Sequence, residues 1–440
     1  SLGPRERTTG SESGQHPKAG VGFRLMIALL VASTLLISQT PSDAGFVPSA
    51  EQESLYQQPD TWHLEPFFKK IKEQSPESTR PIRITWWGDS ALVGDGYTGE
   101  VRRVLQRHLG DGGPGFLLFS PPFEGYRSSR VRMKRHHWET KSVLHGGLKS
   151  GRFGLAGVMA SSYGGAGSTF ELDATANRLF VFYRGGPKAG GLQLYLNREK
   201  TLTTTLDARA ETWEDRVWSP EIGKDFTWAR LRAAGGGRTE VYGVAIERAG
   251  PGLVLDTLGI VGIRARRWRK ANSEHLAGQV RSRESDLIVL NFGGNERVDR
   301  DLSIEKHSLE IREALDRFRA GAPQSACLLI GPLAHGYKDT QRLDPRLKTV
   351  GDAQRKVAHE AGCAYLDTVL LMGGEGAVRE FRSKRWMGAD LAHLNMKGHR
   401  ELGRRIADWL WKRYGLWDDA SDADCADYTY GPELPDEPNP

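Results

Sequence analysis

Cysteine is scarce in this chain, with three among 440 residues. Cys327, Cys363 and Cys425 cannot form a disulfide framework. The first two sit in apolar, strand-like runs that suit a core, where a bridge between them is open. Cys425 lies in an acidic segment and reads as a free thiol. Metal-ligand spacing is also missing. His136-His137 and the pair His393 and His399 lack the third ligand that a zinc site needs, so neither a metal nor another cofactor is expected. No apolar run reaches the roughly 20 residues that span a bilayer. The longest, 25–37, follows Arg5, Arg7, Lys18 and Arg24 and fits the apolar region of a secretory signal. Ser42-Asp43-Ala44 has small residues where cleavage would require them. Residues 1–44 are therefore expected to act as a leader, either cleaved or kept as an N-terminal membrane anchor. Both readings put the protein outside the cytoplasm, secreted or in the periplasm and cell envelope.

Positive charge exceeds negative, with 61 Lys and Arg against 55 Asp and Glu. The excess is larger in the body of the chain, because 415–440 holds eight acidic residues and no Lys or Arg. That tail, rich in Pro and Asp, is expected to be disordered. A basic body points to an anionic partner or simply to solubility. Two clusters stand out. One is Arg127, Arg130, Arg132, Lys134, Arg135, His136 and His137; the other is Arg264, Arg266, Arg267, Arg269 and Lys270. Solvated strand and helix faces account for both more readily than an anionic glycan does.

Hydrophobic periodicity divides the chain. Residues 45–80 read as a linker with one short amphipathic piece. Apolar runs at 82–87, 253–258, 286–291, 327–330 and 363–367 alternate with helix-period segments, including 267–282, 349–361 and a last helix through Leu402, Ile406 and Trp409. That alternation predicts an α/β fold, a five-stranded parallel sheet flanked by helices, split over 81–119 and 250–414. Between the halves, 120–249 is rich in Gly, Thr, Arg and aromatics in short alternating runs, which predicts an inserted antiparallel β-sandwich. Its aromatics, such as Trp138, Tyr163, Tyr183 and Trp228, read mostly as core. Trp86 and Trp87 precede a motif, and one of them could stack on a sugar.

Four short stretches fall after strands or in the last loop: Gly88-Asp89-Ser90, Gly259-Ile260-Val261-Gly262, Gly293-Gly294-Asn295-Glu296 and Asp390-Leu391-Ala392-His393. Open α/β sheets bind ligands at the strands' C-terminal edge, where these can converge. A serine hydroxyl is a poor nucleophile without a base in hydrogen-bond reach. His393 can be that base for Ser90, with Asp390 orienting its ring. The Ser90 and Gly262 backbone N–H groups and the Asn295 amide can serve as oxyanion donors, with Gly259 the alternative glycine.

Together these stretches resemble the SGNH (GDSL-type) hydrolase family. Gly88-Asp89-Ser90 matches its first block, although Ala91 stands where Leu is usual. Gly293-x-Asn295 matches the third, with Glu296 in place of the commoner Asp, and Asp390 to Asn395 match the fifth. The β-rich insert and Gly110 to Phe116 are similar to bacterial peptidoglycan O-acetylesterases, whose insert is a carbohydrate-binding-like sandwich. This resemblance implies an esterase that removes O-acetyl groups from an acylated polysaccharide, peptidoglycan or another envelope glycan, through an acyl-enzyme. It implies no nucleic-acid partner. A polysaccharide O-acetyltransferase with the same three residues, and a non-catalytic cell-wall-binding protein, are the alternatives.

Overall fold

The computed structural model describes residues 49–56, 59–338 and 340–418. The apolar run 25–37, the Ser42-Asp43-Ala44 site, Cys425 and most of the acidic tail lie outside the described residues.

The parallel sheet has five strands: β1 (Ile82–Gly88), β2 (Leu253–Gly259), β3 (Leu287–Asn291), β4 (Ala326–Ile330) and β5 (Ala364–Leu366). Their order is β2-β1-β3-β4-β5, and the pairs are parallel. Every residue of β1 is buried, as expected for a central strand covered on both faces. Trp86 and Trp87 are 2% and 0% exposed, so neither can stack on a sugar. Alternation sends them into different cores, Trp86 towards Tyr97 and Trp87 towards Phe318.

Helices cover both faces: α1 (Tyr97–Leu109), α2 (Ser273–Arg283), α3 (Ile304–Arg319), α4 (Arg346–Ala361) and α5 (Met396–Trp417). The segment expected to be helical from 267 is interrupted. Ala271 and Asn272 are extended, and the Asn272 side chain accepts from the His275 N–H, so α2 begins anew at Ser273. Within 45–80, read as a linker, Leu55, Leu64, Phe67 and Phe68 are fully buried, and the Trp409 indole donates to the Leu55 carbonyl. Cys327 and Cys363 are joined by a disulfide, with Cα atoms 4.9 Å apart.

Between β1 and β2 the chain builds two antiparallel sheets, of six and five strands. Gly115–Leu117 already pairs with Thr239–Glu247 in the six-stranded sheet. That sheet is shared between two cores. One face sends Phe116, Phe182 and Tyr242 towards Trp87, Leu258 and Trp268 of the parallel-sheet core. The other sends Leu117, Val181 and Ile246 towards Phe170, Leu194 and Leu231 of the five-stranded sheet. Tyr183 is core, whereas Tyr163 is 75% exposed and Trp228 half-exposed.

A buried ionic group lies at this junction. Arg83 at the start of β1 and Arg283 at the end of α2 both bond Glu247, the last residue of its strand, and Arg283 also bonds Asp256 of β2. Both acids are fully buried. Burial alone would raise the Glu247 carboxyl, but the two guanidinium groups hold it down at about 2.

Candidate active site

In register, Gly88 pairs with Gly259 on one side and with Asn291 on the other. The ends of β1, β2 and β3 therefore lie side by side where the strand order reverses. This is where open sheets of this kind leave a crevice. A cleft of about 180 Å³ opens there, and Asp89, Ser90, Asn295, Arg297, His335, His393 and His399 are among its lining residues.

Ser90 opens a single 3-10 turn, Ser90–Leu92, directly after β1. The Asp89 carboxylate accepts from the Ala91 N–H at 3.0 Å and fixes that turn. Among the described residues nothing accepts the Ser90 N–H. Gly259 is needed beneath it, because a Cβ there would meet the Asp89 carbonyl and the Val93 nitrogen at 2.9 Å.

His393 and Asp390 share one tight loop. The His393 Nδ1–H donates to Asp390 Oδ2 at 2.6 Å, and the His393 and Ala392 backbone N–H groups donate to Oδ1. Burial alone would raise the Asp390 carboxyl; the ring and backbone N–H groups outweigh it and hold it below the ordinary value. Leu391 bridges the pair with φ 53°, a left-handed conformation that costs a branched residue about 1–2 kcal/mol. The loop is tied down by Gly336 N–H to the Leu391 carbonyl and Gly388 N–H to the His393 carbonyl. The His393 side chain is 70% exposed. It lines the same cleft as Ser90 without a direct hydrogen bond to it. Catalytic hydrogen bonds of this kind commonly tighten only around substrate.

Asn295 donates one amide hydrogen to the Ile263 carbonyl at 2.9 Å, which orients its side chain and leaves a second N–H. Gly262 takes φ 72° in a turn closed by Ile263 N–H to the Ile260 carbonyl. Its conformation suits glycine, and its own N–H has no acceptor among the described residues. It does not line the cleft, and neither does Gly259. The structure thus brings together Ser90, Asn295 and His393 around the cleft with Asp390 behind, and leaves Gly262 at its margin.

Several further residues at the site were given no role by the motifs, Asp89 and Glu296 within them and His335, His399 and Arg297 outside. Asp89 is buried, and burial raises its carboxyl to about 6 despite the Ala91 N–H and the nearby His393. Glu296 lies close by, buried, accepting from the Ala265 and Gly293 N–H groups. Burial, with the neighbouring Asp89 charge, raises it to about 7. His335 and His399 are pushed down to about 4, chiefly by burial. Arg297 donates to the fully buried Asp344. His335 follows β4, so the strand-end rule could have found it; Arg297 directly follows the third motif.

Three of the five cations of the second basic cluster are paired. Arg264 and Arg266 bond Asp299, and Arg269 bonds Glu313. These side chains tie the turn after β2 to α3 and its approach.

Residues 218–401 match the GDSL-like Lipase/Acylhydrolase family. The match takes in Asn295, Asp390 and His393 and leaves out Ser90, which precedes the inserted sheets. Among solved structures, a peptidoglycan O-acetylesterase superposes with a TM-score of 0.68 at 22% identity, covering 80% of this chain and 96% of that one. A lipase/acylhydrolase from Enterococcus faecalis (TM-score 0.28, 16% identity, 36% of this chain and 74% of that one) also matches. So does the salicylyl-acyltransferase SsfX3 of a tetracycline biosynthetic pathway (TM-score 0.30, 15% identity, 66% and 95%). No curated protein matches the chain. The match over 218–401 and the fold are those of the SGNH (GDSL-type) class of carboxylic ester hydrolases. Within that class, the chain resembles peptidoglycan O-acetylesterases in its whole architecture, parallel sheet and inserted antiparallel sheets alike.

Proposed function

We propose that this protein is a serine esterase that removes O-acetyl groups from peptidoglycan. The observation that carries this reading is the convergence of Ser90, Asn295 and the Asp390–His393 pair on one cleft at the strand ends. The architectural likeness to a peptidoglycan O-acetylesterase supports the choice of substrate.

Ser90 Oγ attacks the ester carbonyl, and His393 Nε2 takes its proton. Asp390 keeps the Nδ1–H tautomer and stabilises the imidazolium that forms. The oxyanion is met by the Ser90 N–H and the free Asn295 N–H, the two expected donors that line the cleft. His393 then returns the proton to the departing sugar oxygen. A water, activated by the same ring, hydrolyses the acetyl-enzyme. The exposure of His393 favours water over a second sugar as acceptor, hence hydrolysis over transfer.

We also place the protein outside the cytoplasm. The sequence features of 1–44 support this. The Cys327–Cys363 disulfide agrees, since such bonds persist in oxidising compartments. Among the described residues no helix is long and apolar enough to cross a membrane.

The test is acetate release from O-acetylated peptidoglycan. Release is expected from the wild type and should vanish with Ser90→Ala in a protein of unchanged melting temperature. Equal release by both would remove Ser90 from the mechanism, and no release from either would remove peptidoglycan as substrate.

A further inference from the structure

The five-stranded antiparallel sheet is the outermost layer, and its strand register sorts its side chains cleanly. Met133, Phe170, Ala229, Leu231 and Leu194 point into the sandwich core. The alternate positions face outward, and cross-strand pairing sets them in rows. Arg132, Glu171 and Trp228 form one row; Lys134, Thr169, Arg230 and Tyr195 a second; His136, Gly167, Arg232, Gln193 and Thr205 a third. All these side chains are half-buried or exposed, apart from the glycine position.

The charge on this face is unbalanced. Among the described residues no carboxylate lies in ion-pair range of Arg132, Lys134, Arg230 or Arg232. The single acid in the rows, Glu171, pairs with Arg198 instead. Arg130, just before this strand, contrasts with them: it is held by Asp111 and Asp173. Strands lie about 4.8 Å apart, so Lys134 and Arg230, two strands apart, are only about 10 Å from one another. Like charges at that spacing oppose folding and contribute nothing to the core. His136 shows the same field, since burial and then the neighbouring His137, Arg230 and Arg232 lower its proton affinity.

We propose that this face, centred on Arg132, Lys134, Arg230, Arg232, Trp228 and Tyr195, is a second binding surface, separate from the cleft, for a carboxylate-bearing polysaccharide strand. Four cations meet the carboxylates by charge complementarity. Trp228 and Tyr195 are half-buried on this same outward face, where an aromatic ring can stack on the apolar face of a sugar. Gln193, Thr169 and Thr205 offer amide and hydroxyl groups to sugar hydroxyls. A lipid surface is a poorer fit, because no aliphatic side chain stands out from these rows. None of the six residues lines the cleft, so the surface would hold the polymer while the cleft works on it. The preference for a glycan over nucleic acid rests on the esterase reading above.

The experiment is co-sedimentation of the purified full chain with insoluble peptidoglycan. Binding is expected to weaken as salt rises from about 50 to about 500 mM. The double variant Arg132→Glu/Arg230→Glu should bind about tenfold more weakly, a loss that Arg132→Lys/Arg230→Lys should largely restore. The melting temperature of each variant reports that it is folded. Ser90→Ala should sediment as the wild type does. If acetate release fails while charge reversal still abolishes sedimentation, the esterase reading falls and the surface stands. Sedimentation unaltered by charge reversal in a folded protein overturns the surface, whatever the catalysis. Tighter binding of single-stranded DNA or anionic vesicles than of peptidoglycan overturns the choice of ligand.

Discussion

Asn295 holds its place through one hydrogen bond and, on the proposed mechanism, keeps one donor for the oxyanion. Truncating it removes that donor only where charge develops on the ester oxygen. Asn295→Ala is therefore expected to lower kcat by about 10²–10³ with little change in KM on a soluble acetyl ester, measured by steady-state kinetics. An equal loss in KM would mean that the amide binds ground-state substrate instead. Residues of this kind were legible in the sequence, because a nucleophile, a donor and an Asp-x-x-His pair must each follow a strand or close a loop. Asp89, Glu296 and His335 were not legible as perturbed groups. What perturbs them is burial, which follows from how distant strands converge and is not written in any local pattern. The two tryptophans before Ser90 were equivocal for the same reason: alternation put them on opposite faces, and only the assembled layers show that both faces are covered.

At the scale of elements, α3 and α4 share a buried polar contact. His307 of α3 is buried and lies 3.4 Å from the Gln354 side chain of α4, and burial pushes its imidazole from 6.5 down to about 4. Between those values the unfolded chain binds the proton and the folded chain does not, so stability falls as pH drops through that window. One such group changes stability by up to about 1.4 kcal/mol per pH unit. The stability difference between wild type and His307→Gln should shrink as pH falls from 6.5 to 4.5, and urea unfolding at several pH values measures it. The disulfide is another element-scale device, tying β4 to the residue before β5 across a sequence separation of 36. Reduction is expected to cost roughly 3–4 kcal/mol, seen as a lower denaturant midpoint, while the still-folded enzyme keeps its activity. The strands that carry these cysteines were readable from their apolar runs. The bridge was not, since pairing depends on β4 and β5 being neighbours.

Across the whole molecule, the six-stranded sheet is one layer serving two cores, and the Arg83, Glu247, Arg283 and Asp256 group lies at the seam. Removing one charge there leaves its partners buried and uncompensated. Glu247→Gln is expected to destabilise by about 3–5 kcal/mol. Because the layer is shared, unfolding should stay a single transition when followed by tryptophan fluorescence and by activity. Two separated transitions would show that the inserted sheets fold independently. The architecture was legible as an α/β unit split by a β insert, since hydrophobic period changes at each border. The sharing was not, because alternation in Thr239–Glu247 says which residues are buried but not that opposite faces meet different neighbours.

The exposed His393 has one more consequence. On the proposed mechanism, a base as exposed as this at the cleft does not require its polymer to be threaded from an end. Such an enzyme can graze a cross-linked mesh whose strands are pinned on both sides, visiting whichever ester projects towards it. Its output would then depend on how many esters face outward, and hardly at all on the length of the chains that bear them.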